Sequence, residues 1–398
     1  MMRLEELARR TKATLCLACG KCTGNCPLAE LEHGHSPRRL VARAIADLEA
    51  DGRILVRKCL TCGACEERCP EGVAFVDFVR DVRALLPPEE RASCPHHQVL
   101  LQATRLMAEG ESAPKRLDWL DDDLRVAERG DIFLFVGCLP LFDVVYADLG
   151  VRTTDIARSA VRILNRLGIE PVVRGEEVCC GHDSLWAGDP ETFRRLAGKN
   201  AALIAESGAK TIVTTCAECA RTLALSYPET IKNFKIEVTH LSAFLAGRLE
   251  KLGLERGTAE VEKAVTFQDP CRLGRHLGVL EEPRALLDAI PGVRLHEMAL
   301  SGATARCCGT SGFQHCDAES RRLQTIRLAD ARATGAEVLV TACPKCLIHF
   351  TCAQEEDARR ARVDGRETTK KIRTEDLAVL VAEALEKAAA PAAAQGGE

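Results

Sequence analysis

No apolar run in this 398-residue chain is long enough to cross a bilayer. The longest, IFLFVGCLPLFDVVYA at 132–147, is interrupted by Gly137, Pro140 and Asp143, whereas a spanning helix needs about 20 consecutive apolar residues. The opening MMRLEELARRTK reads as a charged amphipathic helix with no apolar core or cleavage site, so no secretory signal is expected. A charge excess is lacking too: 54 Lys and Arg face 58 Asp and Glu, a net charge of -4. That balance excludes the basic surface a nucleic-acid-binding protein presents. Neither a G-x-G-x-x-G fingerprint nor a P-loop occurs, so flavin or nucleotide has to come from a partner chain. The expectation is a cytoplasmic protein with no membrane span and no nucleic-acid partner.

Cysteine is what the chain has: 21 residues. In a small secreted protein this would be a disulfide framework, but in a long chain in a reducing compartment metal binding is the better reading. The cysteines also divide the sequence. Residues 1–86 hold eight of them in two similar runs, joined by the helical stretch SPRRLVARAIADLEADG. Residues 87–130 form a polar helical connector, with helices expected near 99–109 and 118–128. From 131 onward short β runs alternate with amphipathic helices. The strand candidates are DIFLFVG, IEPVVR, KTIVTT, AVTFQD, VRLHEM and EVLVTA; TDIARSAVRILNRLG and AESRRLQTIRLADARATG have helical spacing and end at glycine. This alternation implies βαβ units and mostly parallel sheets. The tail 389–398 is low-complexity and expected to be disordered.

The β/α region repeats. Cys138, Cys179-Cys180-Gly181 and Cys216-x-x-Cys219 form one module, 131–255; Cys271, Cys307-Cys308-Gly309 and Cys343-x-x-Cys346 form a second, 256–388. In both, the single cysteine and the CxxC follow a strand candidate. The fold class expected is thus α+β and multi-domain, with a helical N-terminal unit ahead of two pseudo-repeated α/β modules.

CLACGKCTGNCP at 16–27 and CLTCGACEERCP at 59–70 both read C-x-x-C-x-x-C-x-x-x-C-P, the run of bacterial ferredoxins. Three close cysteines hold one [4Fe–4S] cube and the fourth crosses to the other cluster. On that rule Cys16, Cys19, Cys22 and Cys69 hold one cubane cluster, and Cys59, Cys62, Cys65 and Cys26 hold the other. Zinc would need two well-separated pairs rather than four cysteines in eleven residues, twice. The 32-residue spacer between Cys26 and Cys59 is expected to be helical.

Adjacent cysteines on extended backbone point to opposite faces, so Cys179-Cys180 and Cys307-Cys308 can touch one metal centre only where the chain turns sharply. Gly181 and Gly309 supply that freedom. Each module then offers five thiols, one more than a cube requires: either one is spare or the cluster is not a cube.

The pattern C…CCG…CxxC, with FQDPCRLGRHLGVLEEPRALLDAIPGVRLHEM ahead of CCGTSG, resembles the CCG-domain family of the B-type chain of heterodisulfide reductase and its relatives. The N-terminal part, SPRRL included, resembles the C-type chain of the same reductase, so the layout is similar to a natural C–B fusion of the D type. The resemblance implies a noncubane [4Fe–4S] cluster on each complete five-cysteine motif. It also implies a flavoprotein partner in a hetero-oligomeric complex, and a disulfide as substrate. Relatives serving flavin dehydrogenases of the 2-hydroxyacid or glycerol-3-phosphate type keep the layout, so a pure electron conduit is the alternative.

Eight ferredoxin ligands and ten CCG ligands leave Cys94, Cys316 and Cys352 as spare thiols. His182, His276 and His315 are candidate proton donors, the first two foremost, because histidine titrates near neutrality. HGH at 33–35 and HH at 96–97 are expected in solvent. Arg272 and Arg275 could bind an anionic substrate or offset cluster charge.

Overall fold

Short apolar runs between amphipathic helices build two parallel sheets. The computed structural model describes residues 4–32, 34–46, 50–91, 98–110, 116–254, 263–310 and 316–389. Strands β1 (Ile132–Phe135), β2 (Thr211–Thr214) and β3 (Glu237–His240) form the first sheet in that order. The second contains β4 (Lys263–Gln268), β5 (Val293–Leu295), β6 (Val338–Thr341) and β7 (Arg373–Asp376), ordered β5-β4-β6-β7. Val172 stands where β5 stands in the second sheet: its N–H donates to Ile132 O at 2.8 Å and its carbonyl accepts from Leu134 N at 2.9 Å. The IEPVVR run therefore contributes only isolated bridges, at Val172. Pro171, with no N–H to give, keeps the pairing from extending.

The edge strands β3 and β7, with sequences EVTH and RTED, are absent from the sequence expectation because short charged segments carry little β signal. The expected helix at 99–109 is present as Val99–Glu109. The one near 118–128 is not. Its residues form turns closed by Leu120 N to Leu117 O and Leu124 N to Asp121 O, and Ala127 N then joins Pro171 O. The spacer between the cysteine runs is helical as expected, at Pro27–Leu31, Pro37–Ala46 and Ala50–Lys58. Cys94, His315, His96, His97 and the tail from 390 lie outside the described residues.

The helical N-terminal unit has its own core of Leu7, Val56, Phe78 and Val82. Leu28, Leu60 and Cys62, however, belong to the larger core that runs through both α/β modules. The modules clasp each other through their helices: Leu377–Ala389 of the second packs on Thr154–Arg166 of the first, and Ala217–Arg221 of the first on Cys271–Leu277 of the second. This exchange brings the carboxyl ends of both sheets, where α/β folds build their sites, toward one interface. Among the described residues no helix is long and apolar enough to cross a membrane.

Candidate metal centres

The two N-terminal cysteine runs fold into matching loops. Ala18 and Thr61, each two residues past the first cysteine, have φ of 53° and 48°, and Gly20 and Gly63 have φ of 81° and 79°. Such left-handed turns wrap three sulfurs about one point, and glycine takes them without a Cβ penalty. Cys26 and Cys69 leave their loops with the same extended backbone (φ −84°, ψ 119° and φ −78°, ψ 115°). Cys26 lies beside Cys59 and Cys62, and Cys65 beside all three. The fourth cysteine of the first run has thus crossed to the second. Cys16 and Cys22 are neighbours, Cys19 is exposed and Cys69 half-buried. Burial pushes the Cys26 thiol up to about 12 and Cys59 up to about 11. Thiols so crowded cannot all ionise unless a cation stands among them.

In the α/β modules the five thiols contact one another in the same sequence. In the first module the hydrogen-bonded chain runs Cys138, Cys179, Cys180, Cys219, Cys216. In the second it runs Cys271, Cys307, Cys308, Cys346, Cys343. Cys180 and Cys219 stand 3.4 Å apart, as do Cys308 and Cys346. Gly181 and Gly309 have φ of 82° and 90°. Their N–H groups reach back 3.4 Å to the sulfurs of Cys179 and Cys307. The glycines also make room: a Cβ on Gly181 would meet Phe193 Cδ2 at 2.7 Å, and one on Gly309 the Ser320 carbonyl at 2.9 Å. The carbonyl of the second cysteine is held by Tyr227 in the first module (3.3 Å) and by His349 Nδ1 in the second (3.1 Å).

Glu177, two residues ahead of the first pair, is buried and accepts from Val136 N (3.1 Å), Gly137 N (2.7 Å) and Arg116 (2.7 Å), which shapes the loop that carries Cys138. In the second module Asp269, two residues ahead of Cys271, takes Gly302 N at 2.8 Å and pairs with Arg284.

The N-terminal unit and the second module meet sulfur to sulfur. Cys62 hydrogen-bonds to Cys307, which lowers the Cys62 thiol to about 5 with Arg275 assisting. Arg272 donates to both the carbonyl and Oγ1 of Thr61, the latter at 2.7 Å, and Arg275 to the Cys62 carbonyl at 2.7 Å. Both arginines clamp the loop that carries Cys59 and Cys62. Arg272 stacks 4.1 Å from the Trp186 ring and donates Nε to His182 Nε2 at 3.1 Å. That leaves the His182 proton on Nδ1, facing Asp183 at 3.0 Å.

His182 lines the cavity beside the first thiol set together with Asp183, Glu218 and Lys345. His276 does not; its Nε2 lies 3.1 Å from Thr61 O and its ring stands edge-on to Trp186. Burial drives both histidines well below the ordinary range. Lys345, from the second module, reaches into the first to pair with Asp183 and, at 2.5 Å, with Glu218. Its module also brings Cys343 near Cys216. His35 is buried at 1% exposure and is not in solvent: it lines the cavity of Cys26, Cys59, Cys62 and Cys65, and neither ring nitrogen has a hydrogen-bond partner among the described residues. Cys316 and Cys352 are half-buried near one another.

Comparison with known proteins agrees with this arrangement. Residues 15–74 match the 4Fe-4S dicluster domain, and residues 132–224 and 265–351 each match the cysteine-rich domain termed CCG. The chain is 34% identical over 278 residues to the D-type chain of the dihydromethanophenazine:CoB–CoM heterodisulfide reductase of Methanosarcina acetivorans, covering 68% of this chain and 63% of that one. The chain carries a 4Fe-4S dicluster domain and two CCG domains, the domain types of an iron–sulfur family, and is similar to the D-type chains of heterodisulfide reductase. Two further relatives are each 30% identical. One is the B-type chain of the fumarate reductase (CoM/CoB) of Methanothermobacter marburgensis, over 57% of this chain and 42% of that one. The other is a probable membrane-anchored ferredoxin of Chromohalobacter salexigens, over 70% and 42%. The chain spans less than two thirds of the length of these relatives.

The donor sets fit the iron–sulfur clusters of this family. Each is sulfur-only, each sits where N–H groups point at sulfur, and His35 presents unpartnered nitrogens to one of them. Sequence reasoning missed Glu177, Lys345 and Glu218. For the last two a signal existed: aligning Cys-Ala-Glu-Cys at 216–219 with Cys-Pro-Lys-Cys at 343–346 puts opposite charges at one repeat position.

Proposed function

We propose that this chain is the iron–sulfur subunit of a heterodisulfide-reductase-like complex that receives electrons from a flavoprotein partner. Cys16, Cys19, Cys22 and Cys69 would hold one cubane [4Fe–4S] cluster, and Cys59, Cys62, Cys65 and Cys26 the other. The five cysteines of each module, Cys138 to Cys219 and Cys271 to Cys346, would each hold a noncubane [4Fe–4S] cluster. The observation that carries the reading is the Cys62–Cys307 hydrogen bond, which joins the ferredoxin-like thiols to those of the second module. Clusters on these ligands supply one-electron transfer. Arg272 and Arg275 hold the loop of residues 59–63 against the second module, and Lys345 ties that module to the first through Asp183 and Glu218. A disulfide reduced there takes two electrons and two protons and leaves as two thiols. The names of the relatives, heterodisulfide reductase and fumarate reductase (CoM/CoB), support a thiol-coenzyme disulfide as that substrate.

The test is anaerobic purification with metal analysis and a disulfide assay. About 16 iron atoms per chain, four clusters of four, are expected. Reduced viologen should drive reduction of a thiol-coenzyme disulfide, with a paramagnetic signal appearing only with half-reduced substrate. A colourless zinc protein refutes the reading. A second reading has its own support: Lys345 pairs with Glu218 and Asp183, next to His182, in the cavity beside the first thiol set. Full iron content with inertness to every disulfide tried would make the chain an electron conduit for a flavin dehydrogenase or bifurcating complex.

A further inference from the structure

One of the two ferredoxin-like loops is covered and its twin is bare. Leu60 and Leu17 follow the first cysteine of each run, and Cys62 and Cys19 are the second cysteines. Leu60 is 3% exposed against the second module, whereas Leu17 is 65% exposed and its neighbour Leu15 51%. In the covered loop, backbone carbonyls are satisfied by Arg272 and Arg275 from across the interface. In the bare loop Arg38 of the same unit donates to Ala18 O at 2.8 Å, so the polar backbone needs no help from outside. What remains outward is two leucines and an exposed cysteine. Lys12, Lys21 and Arg38 are exposed here, and the stretch from 7 to 29 holds no carboxylate; Glu66 and Glu67 come in only from the turn packed against the helix Lys21–Gly24. A net-negative chain thus presents two lysines and an arginine beside an apolar patch at a cluster-binding loop.

We infer that this face is the docking surface for the flavoprotein donor, which presents an acidic rim around an apolar patch. The inference rests on the redox function proposed above and adds the place and charge of the contact. Exposed apolar side chains at the centre supply the contact area, and the rim steers the encounter. The probe is flavodoxin hydroquinone, an acidic flavoprotein, with methyl viologen radical as the small-molecule control, both followed by bleaching of cluster absorbance in stopped flow. Leu17→Glu and Lys21→Glu should each slow reduction by flavodoxin about tenfold, with wild-type rates falling as ionic strength rises, while viologen reduces all three proteins equally. Equal flavodoxin rates for Leu17→Glu and wild type, or rates that rise with salt, overturn the surface. Failure of viologen to bleach the wild-type protein overturns the redox reading and the surface with it.

His35 carries a second inference independently. Its buried imidazole has lost its water bonds, and among the described residues neither ring nitrogen has gained a hydrogen-bond partner in exchange. Its cavity is shared with Cys26, Cys59, Cys62 and Cys65. We infer that His35 donates its ring N–H to an inorganic sulfide of the cluster these cysteines hold, which also rests on the proposed ligation. Such a bond stabilises the more negative, reduced form. With 15N-histidine, the reduced cluster should show a weak nitrogen coupling that disappears in His35→Leu. One cluster potential should fall in that variant and recover in part in His35→Gln, which keeps an N–H. Unchanged potentials in His35→Leu overturn the bond. A strong, directly bonded coupling would make His35 a ligand and overturn it as well. Absence of any reduced-cluster signal in wild type refutes the ligation itself.

Discussion

In both α/β modules five thiols touch in the same order, around a CCG turn of nearly the same φ, yet their surroundings have diverged. The second set borders another thiol, Cys62, and two arginines that hold the loop bearing it. The first set borders buried ionisable groups: His182, Asp183, Glu218 and the lysine its twin contributes. Duplication preserved what ligation demands, namely sulfur positions and the turn between them. It left free whatever faces the partner surface. One copy came to meet the ferredoxin-like unit and the other a pocket of buried ionisable groups.

The sharpest way to break this comparison is to delete the middle thiol of each chain. Cys308→Ser and Cys180→Ser should each lose about four iron atoms per chain. Cys180→Ser should still pass electrons from the ferredoxin-like unit into the second module at the wild-type rate. Cys308→Ser should stall the first module behind it. Freeze-quench paramagnetic resonance separates the two; identical behaviour would show that the modules are fed in parallel.

Next comes the ion cluster between the copies. Lys345→Met leaves Asp183 and Glu218 buried without their cation, and stranding a buried charge costs about 3–5 kcal/mol. The anaerobic Tm should drop accordingly, and adding Asp183→Asn and Glu218→Gln should recover most of the loss. A single variant as stable as wild type would mean that the modules are held by their apolar helix contacts alone.

The glycines distinguish the copies more finely. Alanine at either position must adopt a left-handed backbone, at about 1–2 kcal/mol. At Gly181 the added methyl meets a Phe193 ring, which can turn, but at Gly309 it meets the Ser320 backbone carbonyl, which cannot. Gly309→Ala should therefore lose about 1 kcal/mol more than Gly181→Ala, by overpacking, in thermal unfolding.

What the sequence made legible is what depends on neighbours in the chain. Cysteine spacing, the glycines after each pair, the parallel strands and the helical spacer all follow from local pattern. Lys345 against Glu218 is a contact between repeats, and His35 is buried only because the 59–65 loop closes over it; no local periodicity encodes either. The turns at 118–128 mislead in the other direction. Leu117, Leu120 and Leu124 mimic a helical stripe, but Asp121 is drawn to Arg158 and Arg162 and Ala127 to the sheet. Tertiary pairing there outweighs propensity.

The smallest effect comes from a third pair of twins. His240 ends β3 and caps the helix Leu241–Ala246 through Ser242 N at 3.1 Å. Asp376 ends β7 and takes Ala378 N at 2.9 Å. Both line one cavity between the modules. Burial lowers His240 to about 4 and raises Asp376 to about 7. A histidine depressed in the folded state binds fewer protons there than when unfolded, so its contribution to stability is lost as pH falls from about 6.5 to 4. An elevated aspartate holds its proton when folded and releases it when unfolded, so its contribution is lost as pH rises from about 4 to 7. In the shared window the two slopes oppose and the wild-type dependence should be shallow. Asp376→Asn should uncover a Tm that falls with acidification, and His240→Gln one that falls with rising pH. Slopes unchanged in both variants would show that neither group keeps its shifted proton affinity, and that the cavity between the modules admits water.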